Sequence, residues 1–304
     1  MEDVAKYTKG ISRGFGINDS GLVVGDSTFG TEISRAAVFS NGSATDLGAL
    51  KGQPYSRAND INNFGQVVGI ASQKADSNTG RAFITSTADR SMTDLGTLGG
   101  AYAQAWAIND SGFVTGNSRL KSDIEINHAF VWSRRTGMRD LGTLGGNFSY
   151  GTAINGNNHV VGYSTIDKRT ERIHAFLHDG KVMQDLGTLA GPSGDLDYSY
   201  ALGVNSSDQV VGYTYLASDS AGIADVRGPW SVAFVSQNGQ MRNLNDLIGD
   251  ASKEYRLDRA TAINDKGEIA AVAFVNSLGA FHAVLLTPST TGLGQSVTLI
   301  GTGE

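Results

Sequence analysis

The chain has no cysteine, only 4 prolines among its 304 residues, and just 18% charged residues. Without cysteine there are no disulfides, no thiolate nucleophile and no thiolate-held zinc, but no compartment follows, because cytosolic and exported chains can both lack it. No stretch approaches the roughly 18 to 20 apolar residues that a membrane-spanning helix needs. The first residues also lack the charged-then-apolar pattern of a signal peptide. A soluble chain with no membrane insertion is expected. Net charge is −6, and no run of Lys or Arg interleaves with aromatics. The basic footprint of a nucleic-acid binder is therefore missing, and no nucleic-acid partner is expected.

What the sequence has in quantity is glycine, 40 residues, beside a hydrophobic fraction of 40%. That combination describes a chain able to bury a core and broken by many turns. The turns recur in register. Ile-Asn, once Val-Asn, stands at Ile17-Asn18, Ile61-Asn62, Ile108-Asn109, Ile154-Asn155, Val204-Asn205 and Ile263-Asn264, at spacings of 44, 47, 46, 50 and 59 residues. After each pair comes a tight turn such as Asp110-Ser111-Gly112, then an apolar run such as Gln66-Val67-Val68-Gly69, which together read as a hairpin. A third run follows, read as Ala37-Val38-Phe39, Arg81-Ala82-Phe83, His128-Ala129-Phe130, His174-Ala175-Phe176, Val232-Ala233-Phe234 and His282-Ala283-Val284. The fourth run is Asp46 to Leu50, Asp94 to Leu98, Asp140 to Leu144, Asp185 to Leu189 and, degenerately, Asn243 to Leu247.

Four short strands in about 45 residues make the blade of a propeller, since a solenoid repeat of that length would carry helical periodicity that is not found here. The expected fold is all-β: a six-bladed β-propeller of four-stranded antiparallel blades over residues 1–290, with 291–304 as a tail or linker. Residues 3–7, Asp3-Val4-Ala5-Lys6-Tyr7, stand 14 ahead of Ile17, much as Asp46 stands 15 ahead of Ile61. They are expected to supply the fourth strand of the last blade and so close the ring, leaving no open edge. Gln295 to Ile300 is the competing candidate for that slot.

The combined signature, Asp-Leu-Gly-Thr-Leu-Gly-Gly followed by Ala-Ile-Asn-Asp-Ser-Gly and His-Ala-Phe, resembles the bacterial HAF-repeat family over residues 3 to about 286. The string Leu95 to Gly100 recurs at 141 to 146. The resemblance implies a secreted or extracellular bacterial protein and carries no activity onto particular residues. His gives way to Ala36, Arg81 and Val232 in three repeats, so a role tied to that His cannot be common to all blades.

Most repeated positions read as architecture. The Asn of each Ile-Asn pair can bond its own turn. Gly25, Gly69, Gly116, Gly162 and Gly212 suit a bulge or a close backbone approach. His128, His174 and His282 share one column and are expected to bond a neighbouring strand, through Asp140 or Asp185, rather than a metal. Gly10-Ile11-Ser12-Arg13-Gly14 matches a nucleophile elbow in form only, since the strand-to-helix turn that this chemistry needs is absent. The loop from Asp76 to Gly80 starts like a calcium loop but has Thr87 where the bidentate Glu belongs. No metal or cofactor is expected.

Four residues before each Ile or Val of the repeated pair stand Arg13, Arg57, Gln104, Tyr150, Tyr200 and Arg259. A closed ring would set three guanidiniums on one side of the propeller mouth and two tyrosines on the other, a lining suited to an anionic or sugar-like ligand. Two places earlier, Ile11, Tyr55, Tyr102, Phe148, Tyr198 and Leu257 read as packing between blades. The fifth repeat also carries a long loop with Asp219, Asp225, Arg227 and Trp230, a candidate partner-binding segment. The function expected is a non-catalytic, monomeric binding module for a glycan, anionic ligand or protein partner. A display segment of a larger secreted protein is the alternative, and a hydrolase or lyase using the central funnel is a further one.

Overall fold

The glycine and asparagine columns set the chain into short strands, and a computed structural model shows how they pair. It describes residues 10–29, 33–75, 78–121, 126–169, 172–189, 198–215, 231–289 and 295–299. The first sheet is β1 (Ser12–Ile17), β2 (Val23–Thr28), β3 (Ser34–Ser40) and β4 (Ser43–Asp46). The second is β5 (Tyr55–Ile61), β6 (Gln66–Ser72), β7 (Gly80–Ser86) and β8 (Thr93–Asp94). The third is β9 (Gly99–Ile108), β10 (Val114–Leu120), β11 (Asn127–Ser133) and β12 (Gly137–Asp140). The fourth sheet runs β13 (Ser149–Ile154), β14 (Val160–Thr165), β15 (Ile173–His178) and β16 (Met183–Asp185). The fifth runs β17 (Tyr198–Val204), β18 (Val210–Tyr215), β19 (Ser231–Gln237) and β20 (Gln240–Asn243). The sixth runs β21 (Tyr255–Ile263), β22 (Ile269–Val275), β23 (Ala280–Pro288) and β24 (Gln295–Leu299). Six four-stranded meanders of this kind are the blades of a six-bladed β-propeller, as the repeat predicts.

The sixth sheet corrects the expected closure. Its fourth strand is β24, which pairs antiparallel with β23 from Val284↔Leu299 to Pro288↔Gln295. Residues 3–7 lie outside the described residues. Part of the segment read as a tail therefore belongs to a blade. The physical reason is proximity in sequence: β24 folds back after a short connection, whereas each doubling of the segment to be closed adds about 0.6 kcal/mol of loop entropy. Val297 of β24 packs on the apolar core, and the Gln295 N–H donates to the Leu247 carbonyl at 2.8 Å.

The chain divides into two compact units, residues 1–142 with 148–154, and residues 143–147 with 155–304. In each, the core lies between neighbouring blades. In the first unit Val24, Leu47, Ala58, Val67 and Phe83 form one layer, and Val68, Leu95, Ala105, Val114 and Phe130 another. In the second, Val211, Leu244, Leu257, Ile269 and Leu286 do the same.

Three columns explain the repeated motif. First, Gly25, Gly69, Gly116 and Gly212 sit where an added Cβ would meet the carbonyl oxygen of Arg13, Arg57, Gln104 or Tyr200 at 1.8–1.9 Å, so the close approach inferred for them is present. Second, the Asn side chains accept from their own turns, and those of Asn18, Asn62, Asn155 and Asn205 also reach the next blade. Asn62 Oδ1 accepts from the N–H groups of Phe64 and Gln66, while its Nδ2 donates to the Asn109 carbonyl at 3.0 Å. In the second unit Asn155 donates likewise to the Asn205 carbonyl at 2.9 Å. Third, a serine on the first strand of one blade bolts the preceding blade. Ser56 Oγ accepts from the Ala36 N–H at 2.9 Å and donates to the Gly48 carbonyl at 2.6 Å. Ser199 does the same with Ala175 and Gly187, at 2.8 and 2.6 Å.

This register shifts the first triplet by two residues. Gly25 pairs with Ala37, as Gly69 pairs with Phe83 and Gly116 with Phe130. The first blade's triplet is therefore Arg35-Ala36-Ala37, not Ala37-Val38-Phe39, and Arg35 rather than Ala36 replaces the histidine. Phe39 misleads because it is a buried aromatic close to the expected place.

Candidate functional site

The bulge that brings a first-strand carbonyl over glycine also fixes which side chains lie opposite one another. Register pairs Arg13 with Asp26, Arg57 with Ile70, Gln104 with Asn117 and Tyr200 with Tyr213. The variable column is thus really a column of pairs, and each pair includes the residue after the glycine.

In the first unit Arg13, Arg57 and Gln104 line one cavity of about 210 Å3, together with Asp26, Tyr55 and Tyr102. Arg13 makes a bidentate pair with the buried Asp26, Nε to Oδ1 at 3.0 Å and Nη2 to Oδ2 at 2.7 Å, and the Ser34 hydroxyl donates to the same carboxylate. Arg57 is held differently. Its Nε donates to Asn59 Oδ1 at 3.0 Å, and its guanidinium lies 5.5 Å from the Phe15 ring centroid and 5.8 Å from that of Trp106. Trp106 is fixed in turn by its indole N–H on Asn117 Oδ1 at 2.9 Å. Gln104 is 4% exposed; its Oε1 accepts from the Tyr102 hydroxyl at 2.6 Å, and its Nε2 has no partner.

Tyr150 also belongs to the first unit but does not line this cavity. Burial pushes the Tyr102 phenol above its usual value, Tyr150 adds to the rise, and Arg57 and Arg119 pull against it. Burial likewise raises Tyr150, and Arg119 opposes it. The column read as packing between blades divides. Leu257 is fully buried, but Ile11 is 73% exposed, and Tyr55 and Tyr102 line the cavity instead. The Tyr102 phenol donates to Gln104, a contact that an aliphatic residue could not make.

The second unit treats the same column as an aromatic cluster. Tyr200 stacks on Tyr213 at 4.9 Å and meets Tyr163 edge-on at 5.0 Å, with Tyr215 at 6.2 Å. Burial first, then the neighbouring tyrosines, push the Tyr200 phenol up to about 12. Arg259 lies 5.4 Å over Tyr213, and its Nε donates to Asp258 at 3.2 Å. The sequence singled out Tyr200 and Arg259 but missed Tyr163, Tyr213 and Asp26. All three directly follow the repeated glycine, or its equivalent Gly162, and this position was the available signal. Asp219, Asp225, Arg227 and Trp230 lie outside the described residues.

Two of the three histidines in the column, His128 and His174, form the expected strand-to-strand clamp, whereas at His282 the register puts Leu299 in the place of the aspartate. His128 Nδ1 lies 2.9 Å from Asp140 and His174 Nδ1 2.8 Å from Asp185, while Arg81 takes the same place against Asp94 at 3.2 Å. Burial works to raise the Asp140 carboxyl, but the His128 bond and the Gly142 N–H outweigh it, and the group sits below the usual range. Asp185 follows the same pattern. Ser12 of the elbow-like string lies on β1 with its hydroxyl 3.0 Å from that of Ser27. Among the described residues, no three His, Asp or Glu gather at metal-binding distance.

Sequence reasoning also missed Asp60 on the first strand of the second blade. Its Oδ2 accepts from the Ile108 N–H of the next blade and its Oδ1 from its own Ile61 N–H, both at 2.9 Å. Burial pushes its carboxyl up to about 6 against those two bonds.

A family model described as "Protein of unknown function (DUF3466)" matches residues 100–280, more than half of the chain. No curated protein matches significantly. Among solved structures, the chain is similar to the beta-propeller domain of the Trilobed protease from Pyrococcus furiosus, at 9% identity and a TM-score of 0.54, covering 89% of this chain and 77% of that one. It is also similar to the Pyrococcus horikoshii acylaminoacyl peptidase, at 10% identity and a TM-score of 0.54, covering 99% of this chain. The match takes in 47% of the peptidase, so this chain spans about half its length. At such identities the likeness is one of fold alone, and the fold is the β-propeller.

Proposed function

This chain belongs to the DUF3466 family, and we propose that it is a non-catalytic binding module that takes a glycan or anionic group in the cavity of its first unit. The observation that carries this reading is the convergence of Arg13, Arg57 and Gln104 on one cavity, with an amide nitrogen of Gln104 left unpaired beneath the surface. A buried donor without a partner costs about 1–3 kcal/mol, a penalty that a ligand acceptor relieves. Concave sites with a few converging polar groups and aromatic walls are common places for ligands to bind.

A hydrolytic role finds less support in the same cavity. Its carboxylate, Asp26, is already engaged on both oxygens by Arg13 and by Ser34, so it is not poised to take a proton from water. The peptidase activity of structures with a similar fold belongs to those proteins. Export and a monomeric state are part of this reading, and the HAF-type repeat signature supports export. The fifth-repeat loop has no part in it.

The test is to screen the full chain against a panel of neutral and acidic glycans and small anions, beside an Arg57→Ala, Gln104→Ala variant whose melting curve confirms folding. Binding that disappears in the variant is the expected result. A ligand held equally well by both proteins would place the site elsewhere and overturn the reading.

A further inference from the structure

We infer that the first-unit cavity recognises an acidic sugar, with the carboxylate of a hexuronate-type residue seated on Arg57. The inference rests on the binding role proposed above and names the ligand class. It follows from a count of which hydrogen-bonding groups around the cavity are already used.

Arg13 brings no net charge, because Asp26 answers it through two bonds. Arg57 is the opposite case. Only its Nε is engaged, by the neutral amide of Asn59, and among the described residues nothing accepts from its two terminal amino groups. Phe15 and Trp106 fix the guanidinium through ring contacts, which leave its in-plane donors free. A guanidinium held in this way offers the planar fork that a carboxylate matches with two parallel bonds, and its ordering is already done before the ligand arrives. Gln104 Nε2 adds a third unused donor in the same lining.

Size and lining favour a sugar ring over a peptide end. The cavity is about 210 Å3, below the roughly 300 Å3 at which drug-sized pockets begin. It has room for one ring rather than a chain. Tyr55 and Tyr102 bring aromatic rings to the lining, while the Ser34 and Ser72 hydroxyls already donate to Asp26 and to the Lys74 carbonyl and offer a ligand only their oxygens as acceptors. A peptide held by its C-terminus would need backbone partners for its following amides, and the strand backbones here already pair with their neighbours in the sheets.

The experiment is calorimetric titration of the full chain with trigalacturonate, its methyl ester, and an N-acetylated tripeptide with a free C-terminal carboxylate. Trigalacturonate is expected to bind at least tenfold more tightly than its ester, with an affinity that falls as salt rises. Arg57→Lys keeps the charge but loses the fork, and is expected to bind at least tenfold more weakly than wild type while melting at the same temperature. Equal binding of acid and ester would overturn the carboxylate assignment and leave the binding role standing. Preference for the tripeptide would overturn the sugar assignment alone. Failure of all three probes would overturn the inference, while the broader glycan and anion panel still decides the binding role.

Discussion

The two units use one repeat to different ends. Both keep the glycine under a carbonyl, the asparagine that reaches the next blade and the serine bolt, with nearly equal distances. They part at the paired column beside the glycine. The first unit fills it with Arg13–Asp26, Arg57–Ile70 and Gln104–Asn117, which leave a cavity and unused donors. The second fills it with Tyr200–Tyr213, stacked and met edge-on by Tyr163 and Tyr215, and with Arg259–Val272. Positions that hold the backbone together cannot vary without loss, whereas side chains standing off the sheet are free to diverge. Function is therefore to be sought where the two units differ.

If the glycine column is common scaffold, Gly69→Ala and Gly212→Ala should be equally damaging. Each new Cβ would lie 1.9 Å from a backbone oxygen, and overpacking that the backbone must absorb costs about 3 kcal/mol or more. Thermal melts of the two variants should fall together; a mild effect in one unit alone would break the equivalence.

Asp60 should separate the units, because the second carries Gly203 and Ala262 in the corresponding register. Its folded value near 6 lies above the unfolded value near 4, so the folded state binds the proton more tightly. Its contribution is fully favourable below about pH 4, declines as pH rises to about 6, and is a constant penalty above that, of about 3 kcal/mol at most. Asp60→Asn should flatten the melting temperature against pH between those limits. An unchanged slope would remove Asp60 as its source.

The serine bolt should again be shared. Ser56→Ala and Ser199→Ala each remove two hydrogen bonds and leave an Ala N–H unanswered, for about 1–3 kcal/mol apiece. The third blade has Ala103 at this position, so Ala103→Ser tests the same bolt by gain. Urea titration of the three variants would settle whether the motif acts alike around the chain.

The smallest effect is expected at the clamp on the fourth strand. Asp140 and Asp185 are 40% and 43% exposed at the side chain, so solvent screening keeps each histidine pair within about 1 kcal/mol. Both carboxyls are depressed, so the contribution is present above the unfolded carboxylate value and is lost as pH falls through the lower folded one. His128→Gln and His174→Gln should show small, equal losses in melting temperature at pH 7. A large loss at either would give that histidine a second role.

The sequence by itself determined the number of blades, their four-strand order, the glycine and asparagine columns and the His–Asp clamp. The first three are local rules repeated in five or six blades and the clamp recurs in two, and repetition turns a weak local signal into a strong one. Ser56, Ser149 and Ser199 stand five residues before the repeated Ile-Asn or Val-Asn pair, but a serine bonding the blade before it leaves no trace of that role in its own strand's pattern. Only the tertiary structure decided that β24 completes the sixth sheet, since two segments had strand-like character and chain closure chose between them. Only it showed that Arg35 belongs to the first triplet, that Arg13 is neutralised by Asp26 while Arg57 is not, and that Asp60 is held by the next blade. Those facts depend on which residues face one another across strands and between blades, and that is fixed by register and packing rather than by any neighbour in sequence.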